Sequence, residues 1–218
     1  MNDVFGIFPM TIERPRSRAD IKAQQQETTR RYILDLARQM VIEHGYDGLT
    51  LRRLAEAAGY APGTIYLYFK NRDDIARAVA GEIYRDLLAT LKPAAASAPP
   101  GRQLEALLHA YARFARDNPA AYRLAFVEDP HLVTQPVELA DAETAAQSLA
   151  LLTEGVREIL PEGSGDDTHR LAESAWLAMH GVAAILVSCP GYDADSPDAV
   201  IDTMVRLIVA GIKHIDGR

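Results

Sequence analysis

Cysteine is almost absent: Cys189 is the one cysteine among 218 residues. An intrachain disulfide is therefore impossible, and a Cys-x-x-Cys metal knuckle is excluded. Such a chain suits a reducing compartment, and a cytoplasmic location is expected. Cys189 itself reads as a small buried hydrophobe. Long apolar runs are also missing. The longest, residues 175–187 with His180 inside it, falls short of the ~18–20 residues a bilayer-spanning helix needs, so a buried helix and no membrane partner are expected. The opening MNDVFGIFPM lacks the basic and apolar regions of a signal peptide. Met10 begins a second start-like segment, MTIERPRSR. Nucleophile elbows, phosphate-cradling glycine loops, His-Glu-x-x-His and dinucleotide fingerprints do not occur. The carboxylates Asp166 and Asp167 stand in a polar loop with nothing apolar to split their pKa values. No catalytic residue, metal or cofactor is expected.

The chain does carry the balance of a soluble globular protein, 48% hydrophobic and 24% charged. Its net charge of −7 is unevenly placed. Residues 1–72 hold 11 Lys/Arg against 8 Asp/Glu, whereas residues 73–218 hold 12 against 22. A basic part suited to a polyanion and an acidic part with another task follow from that split.

Helical periodicity dominates, and no convincing period-2 run occurs. Ile33, Leu36, Ala37, Met40 and Val41 form one apolar stripe, closed by Gly45 at a C′ position. Thr50 suits an N-cap for a short helix over residues 51–58 that ends at Gly59. Pro62 fits the first residue of another short helix, reaching about Tyr68. Asn71, with Asp74 three residues on, caps a long helix to about Leu91. Residues 93–100 read as a linker, and Asn118-Pro119, Gln135-Pro136 and Ser196-Pro197-Asp198 as helix starts. The expected fold is all-α with about nine helices.

Residues 51–68 have the spacing of a helix-turn-helix. The second helix carries Thr64, Tyr66 and Tyr68, hydroxyls suited to phosphate contact. Gly63 allows close backbone approach, and Lys70 and Arg72 add charge. The ordered pattern Arg31-Tyr-Ile-Leu-Asp-Leu-Ala-Arg, Glu43-His-Gly-Tyr, Leu49-Thr-Leu-Arg-Arg-Leu-Ala-Glu-Ala-Ala-Gly, Gly63-Thr-Ile-Tyr-Leu-Tyr-Phe and Asp74-Ile resembles the DNA-binding domain of the tetracycline-repressor (TetR) family. The resemblance implies a ligand-responsive regulator, most often a repressor. It would bind a palindromic double-stranded DNA operator as a homodimer and respond to a small molecule. It also implies three units: a flexible basic arm over residues 1–27, a helix-turn-helix domain over 28–72, and a ligand-binding and dimerisation domain over 73–218. The family's recognition helix falls on Pro62 to Tyr68, with Thr64, Tyr66 and Tyr68 as DNA contacts. Thr50 falls on a phosphate-touching cap, and Arg52 or Arg53 on a base-reading position. Ala61 stands where the family often has a serine cap. Asn71-Arg72 replaces its usual Ser-Lys.

In the acidic part, Tyr84, Tyr111, Phe114, Tyr122, Phe126, Trp176, Met179 and His180 are candidates to line a ligand cavity. Each is also plausible as plain core. Trp176, His180 and Gly181 form a Trp-x-x-x-His-Gly stretch similar to one found in several TetR relatives. The last two helices are expected to pair the dimer through residues 175–187 and the stripe Ile201, Met204, Val205, Ile208 and Ile212. Two alternatives stay open on the residues alone: a helical ligand-binding or scaffold protein without DNA binding, and an all-α enzyme using His180 as a base.

Overall fold

The computed structural model describes residues 17–127, 139–160, 167–189, 191–192 and 196–215. Arg14, Arg16, the Gln135-Pro136 start and Asp166 lie outside them. The described residues form nine helices and no strand. These are α1 (Arg18–Gly48), α2 (Leu51–Ala58), α3 (Pro62–Ile65), α4 (Arg72–Ser97), α5 (Gln103–Asp117), α6 (Pro119–Phe126), α7 (Leu139–Arg157), α8 (Thr168–Ser188) and α9 (Pro197–Ile215).

Local chemistry explains most of the boundaries. Ser17 and Asp20 make a reciprocal capping box, so α1 starts ten residues before the expected end of the basic arm, and residues 18–27 are helix rather than arm. The same helix breaks at Gly45 (φ 70, ψ 178), a conformation open to glycine alone, before resuming to Gly48. The Thr50 hydroxyl accepts from the Arg53 N–H at 3.2 Å, as expected of an N-cap. Gly59 ends α2 in the left-handed region. Asn71 caps α4 through the Asp74 N–H, while the Asp74 carboxylate reaches back one residue further than a capping box would, to the Lys70 N–H.

Two expectations are corrected here. Residues 93–97 are the last turn of α4 rather than a linker, with Pro93 inside the helix. A proline there removes one hydrogen bond, but Leu87, Leu88 and Leu91 just before it are buried. Each such side chain contributes roughly 1.5–3 kcal/mol, so the helix persists. The recognition helix is also shorter than expected. α3 is one turn, Pro62–Ile65, and the chain continues as turns in which Tyr68 and Phe69 donate to the Ile65 carbonyl.

One apolar core runs from end to end. Ile33, Ala37, Leu54, Ile65, Phe69 and Ile75 hold the first helices together, and α4 carries the core onward. It packs against α1 on one side and α5, α6 and α7 on the other, so the expected boundary at residue 72 falls at the head of a helix that both halves share. α8 packs on α5, α6, α7 and α9. With 21 residues and a mean hydropathy of 1.4, α8 is long and apolar enough to cross a membrane by composition. Its packing on four helices covers one face only: 28% of that apolar stretch is buried and Leu177 and Ile185 stay exposed, so the expectation of a buried helix is corrected for its outward face. Cys189, expected to be buried, is exposed beyond its C-terminus.

Candidate DNA-reading head and effector cavity

The first site grows out of the α2–α3 turn. Ile65 and Phe69, four residues apart, are buried, which sets the rotation of the segment. Gly63, Tyr66, Leu67 and Lys70 then project on the opposite side. Pro62 is exposed as well, whereas Thr64 and Tyr68 are half-buried and Tyr68 packs against the core. Ala61 makes no side-chain cap to α3, so an N–H stays open where a family serine would sit.

The cations around this head differ in their freedom. The Arg53 guanidinium donates to the Gly48 carbonyl at 3.1 Å. It closes the α1–α2 junction, which leaves Arg52 the freer of the two candidates for a base contact. Arg52 is exposed and pairs only with Glu56 on its own helix, a contact of a kind that contributes little. Arg72 stacks over the Tyr46 ring at 3.8 Å, and the Tyr46 hydroxyl donates to Asp73. Together they clamp the end of α1 to the start of α4. Burial raises the Tyr46 pKa, with Arg72 opposing the shift. Arg30 lies over the Phe69 ring at 4.9 Å. The two residues are 39 positions apart in the chain, so helical periodicity gives no sign of this contact.

The second site is a partly open cavity of about 270 Å³ between α4, α5, α6, α7 and α8. Tyr84, Tyr111, Phe126 and Trp176 line it, as expected. Tyr122 and His180 stand behind Tyr111. The Tyr111 and Tyr122 hydroxyls lie 2.9 and 2.7 Å from His180 Nδ1 and 3.1 Å from each other. The two hydroxyls and Nδ1 satisfy one another, the imidazole tautomer setting which of them donates. Burial lowers the His180 pKa, leaving a neutral ring. Burial also pushes the Tyr111 hydroxyl up to about 12, against hydrogen bonds from Tyr122 and Trp176. Tyr122 is raised too, chiefly by burial. The cluster is a satisfied polar plug in an aromatic wall, where the Trp176 and His180 rings lie 5.6 Å apart.

Two cavity expectations are corrected. Phe114 is core, 6% exposed, and lines no wall of the cavity. Met179 is fully buried and borders only a small neighbouring void. Sequence reasoning missed the opposite wall, made of Leu87 and Leu91 from α4 with Ala145, Ser148, Leu149 and Leu152 from α7. Its signal was the helical spacing of Ala145, Ser148, Leu149 and Leu152, which an aromatic-based search passes over. Ser148 turns its hydroxyl to the Thr144 carbonyl of its own helix, leaving that wall apolar.

The interface expectation on α9 is corrected as well. Ile201, Val205 and Ile212 face the chain's own core. The outward apolar face is Leu207, Gly211 and Ile215, with Met204 and Ile208 at its edge. On α8 the corresponding outward residues are Leu177, Gly181 and Ile185.

Comparison with known proteins matches both parts of the chain to one family. A family model described as bacterial regulatory proteins, tetR family, matches residues 33–79. A second, described as tetracyclin repressor-like, C-terminal domain, matches residues 104–208. The chain is 24% identical over 196 residues to the HTH-type transcriptional activator FasR of Mycolicibacterium smegmatis, spanning 87% of this chain and 85% of that one. The solved structure of the putative regulatory protein SCO4313 superimposes with a TM-score of 0.67 at 21% identity, over 90% of this chain and all of the other. FadR from Bacillus subtilis, solved in complex with stearoyl-CoA, superimposes with a TM-score of 0.62 at 20% identity, over 82% of this chain and 97% of its own. Neither a scaffold without DNA binding nor an enzyme based on His180 survives these matches, and the Nδ1 of His180 is already occupied by tyrosine. The chain belongs to the TetR family of bacterial regulatory proteins and is a DNA-binding transcriptional regulator, not an enzyme.

Proposed function

We propose that the chain acts as a cytoplasmic homodimer that leaves a palindromic operator when a ligand with a long apolar body enters the cavity between α4 and α8. The observation that carries this reading is the cavity wall. Its polar groups are already engaged within the chain, the Ser148 hydroxyl on its own helix, the Tyr84 hydroxyl on the Ala125 carbonyl and the Tyr111 hydroxyl with Tyr122 and His180. Such a wall rewards an apolar chain and offers nothing to a small polar effector. The opening leaves room for a polar head outside. FadR of Bacillus subtilis, solved with stearoyl-CoA, is a precedent for that ligand shape, so a fatty acyl thioester is the class we assign. FasR is named an activator, so the reading concerns release from DNA rather than the sign of control.

In this reading Thr50, Arg52, Thr64, Tyr66, Lys70 and the backbone at Gly63 meet the operator, with Arg72 and Tyr68 supporting them. The α8 stripe Leu177, Gly181, Ile185 and the α9 stripe Leu207, Gly211, Ile215 repeat the same residues at the same spacing on two adjoining helices. Paired about a twofold axis, they make an isologous four-helix interface. Nothing lies within 4 Å of a Cβ placed on Gly181 or Gly211, which leaves both open to a partner helix. The test is fluorescence anisotropy of a labelled duplex, selected from a random pool, with stearoyl-CoA, stearate or CoA added. Release by stearoyl-CoA but not by CoA is expected. A duplex that stays bound in the presence of stearoyl-CoA, or that CoA alone releases, would sink the assigned class.

A further inference from the structure

A single exposed apolar side chain is ordinary on a protein surface, and what gives one meaning is its place on a surface that meets a ligand. Four in this chain, Leu177, Ile185, Leu207 and Ile215, lie on the stripes assigned to pairing. Leu67 does not. At 80% exposed, it is the most exposed large hydrophobic side chain among the described residues. It stands in the middle of the reading head, beside Tyr66 at 57%. The local fold forces it out. Ile65 and Phe69 are buried on the other side of this turn, and rotating Leu67 inward would expose the Phe69 ring. The nearby cations are also engaged, Arg53 with the Gly48 carbonyl, Arg72 with Tyr46 and Arg30 with Phe69. What the head presents at its centre is therefore a branched aliphatic group and a phenol, with Lys70 one turn on.

We propose that Leu67 reads sequence directly, by packing on the 5-methyl group of a thymine in the major groove, and that each operator half-site requires a thymine there. The thymine methyl is the apolar feature of the major-groove edge, so an aliphatic side chain gains from it what it cannot gain from guanine, cytosine or adenine. Burying one methyl is worth about a fourfold change in affinity for each half-site. This makes the direct readout partly apolar, alongside the exposed Arg52. It rests on the assignment of residues 33–79 to DNA binding.

The experiment uses the full chain and a duplex selected from a random pool. Each thymine is replaced singly by deoxyuridine, which lacks the methyl and keeps base pairing unchanged. At one position per half-site, the wild type is expected to bind the uracil duplex about fourfold more weakly. The Leu67→Ala variant, exposed and so expected to fold, binds thymine and uracil alike at that position while keeping any sensitivity elsewhere. Leu67→Met restores the preference. Retention of the full thymine preference at every position by Leu67→Ala, or no thymine-sensitive position in the wild type, overturns the proposal. Recovery of no duplex from the pool overturns the DNA-binding assignment itself.

Discussion

At the scale of single residues, the informative group is His180 with Tyr111 and Tyr122. The sequence places Trp176 and His180 on one face of one helix, but the tyrosines come from α5 and α6, 69 and 58 positions away. That separation is why periodicity could nominate them only as aromatic candidates. Their pairing has a pH consequence. Burial lowers the His180 pKa from its ordinary 6.5, so the unfolded chain takes up a proton that the folded chain refuses. The stabilising contribution is complete above about 6.5 and is lost as pH falls from there toward the folded value. The groups facing the imidazole are Tyr111, Tyr122, Phe126 and Trp176, none of them ionised in this range. Thermal denaturation between pH 7.5 and 5.5 is expected to show a falling midpoint in the wild type. His180→Gln should start less stable, because the tyrosine donors are poorly matched, yet have a flatter slope. Equal slopes would mean that His180 does not titrate differently on folding.

Secondary elements were legible where a local signal set their ends. Thr50, Gly59, Asn71 and Ser196 each cap or close a helix, Ser196 through the Ala199 N–H at 3.3 Å. Elements were misjudged where a packing energy outvoted the local signal. Pro93 marked a break that the buried leucines of α4 override, and the exposed stretch before Ile33 gave no apolar stripe to announce the first turns of α1. Close helix approach was equally hidden. Gly155 on α7 meets the α5 backbone, where a Cβ would lie 2.8 Å from the Leu104 nitrogen and 3.0 Å from its Cα. Backbone cannot swing aside as a side-chain tip can. Gly155→Ala is therefore expected to push α7 off α5 and destabilise the fold by about 1–3 kcal/mol. It should also weaken ligand binding, since Leu152, one turn earlier, lines the cavity. Chemical denaturation together with ligand titration reads both effects; unchanged stability would show that the helices can separate at no cost.

For the whole molecule, the question is what the outward faces of α8 and α9 meet. Leu207 is 63% exposed and Leu177 53%, both on the stripes assigned to the partner. Leu207→Glu is expected to produce a folded monomer. A twofold interface contains each substitution twice, and about 2 kcal/mol per copy raises the dimer dissociation constant about a thousandfold. Sedimentation at micromolar concentration with unchanged helicity, and loss of binding to the palindromic duplex, are the measurements. A variant that stays dimeric would place the pairing surface elsewhere. The residues by themselves determined the helical class, the helix-turn-helix, the capped helix starts and the contrast between a basic and an acidic part. These depend on i to i+4 spacing and on caps a few residues apart, which a chain carries locally. Tertiary structure alone decided that Arg53 closes a junction, that Arg30 covers Phe69, that α7 supplies the second wall of the cavity, and which face of α9 is left outside. Each is a choice among helix faces or among partners tens of residues apart. It is settled by the cost of burying one side chain against another, a quantity that exists only once the helices have met.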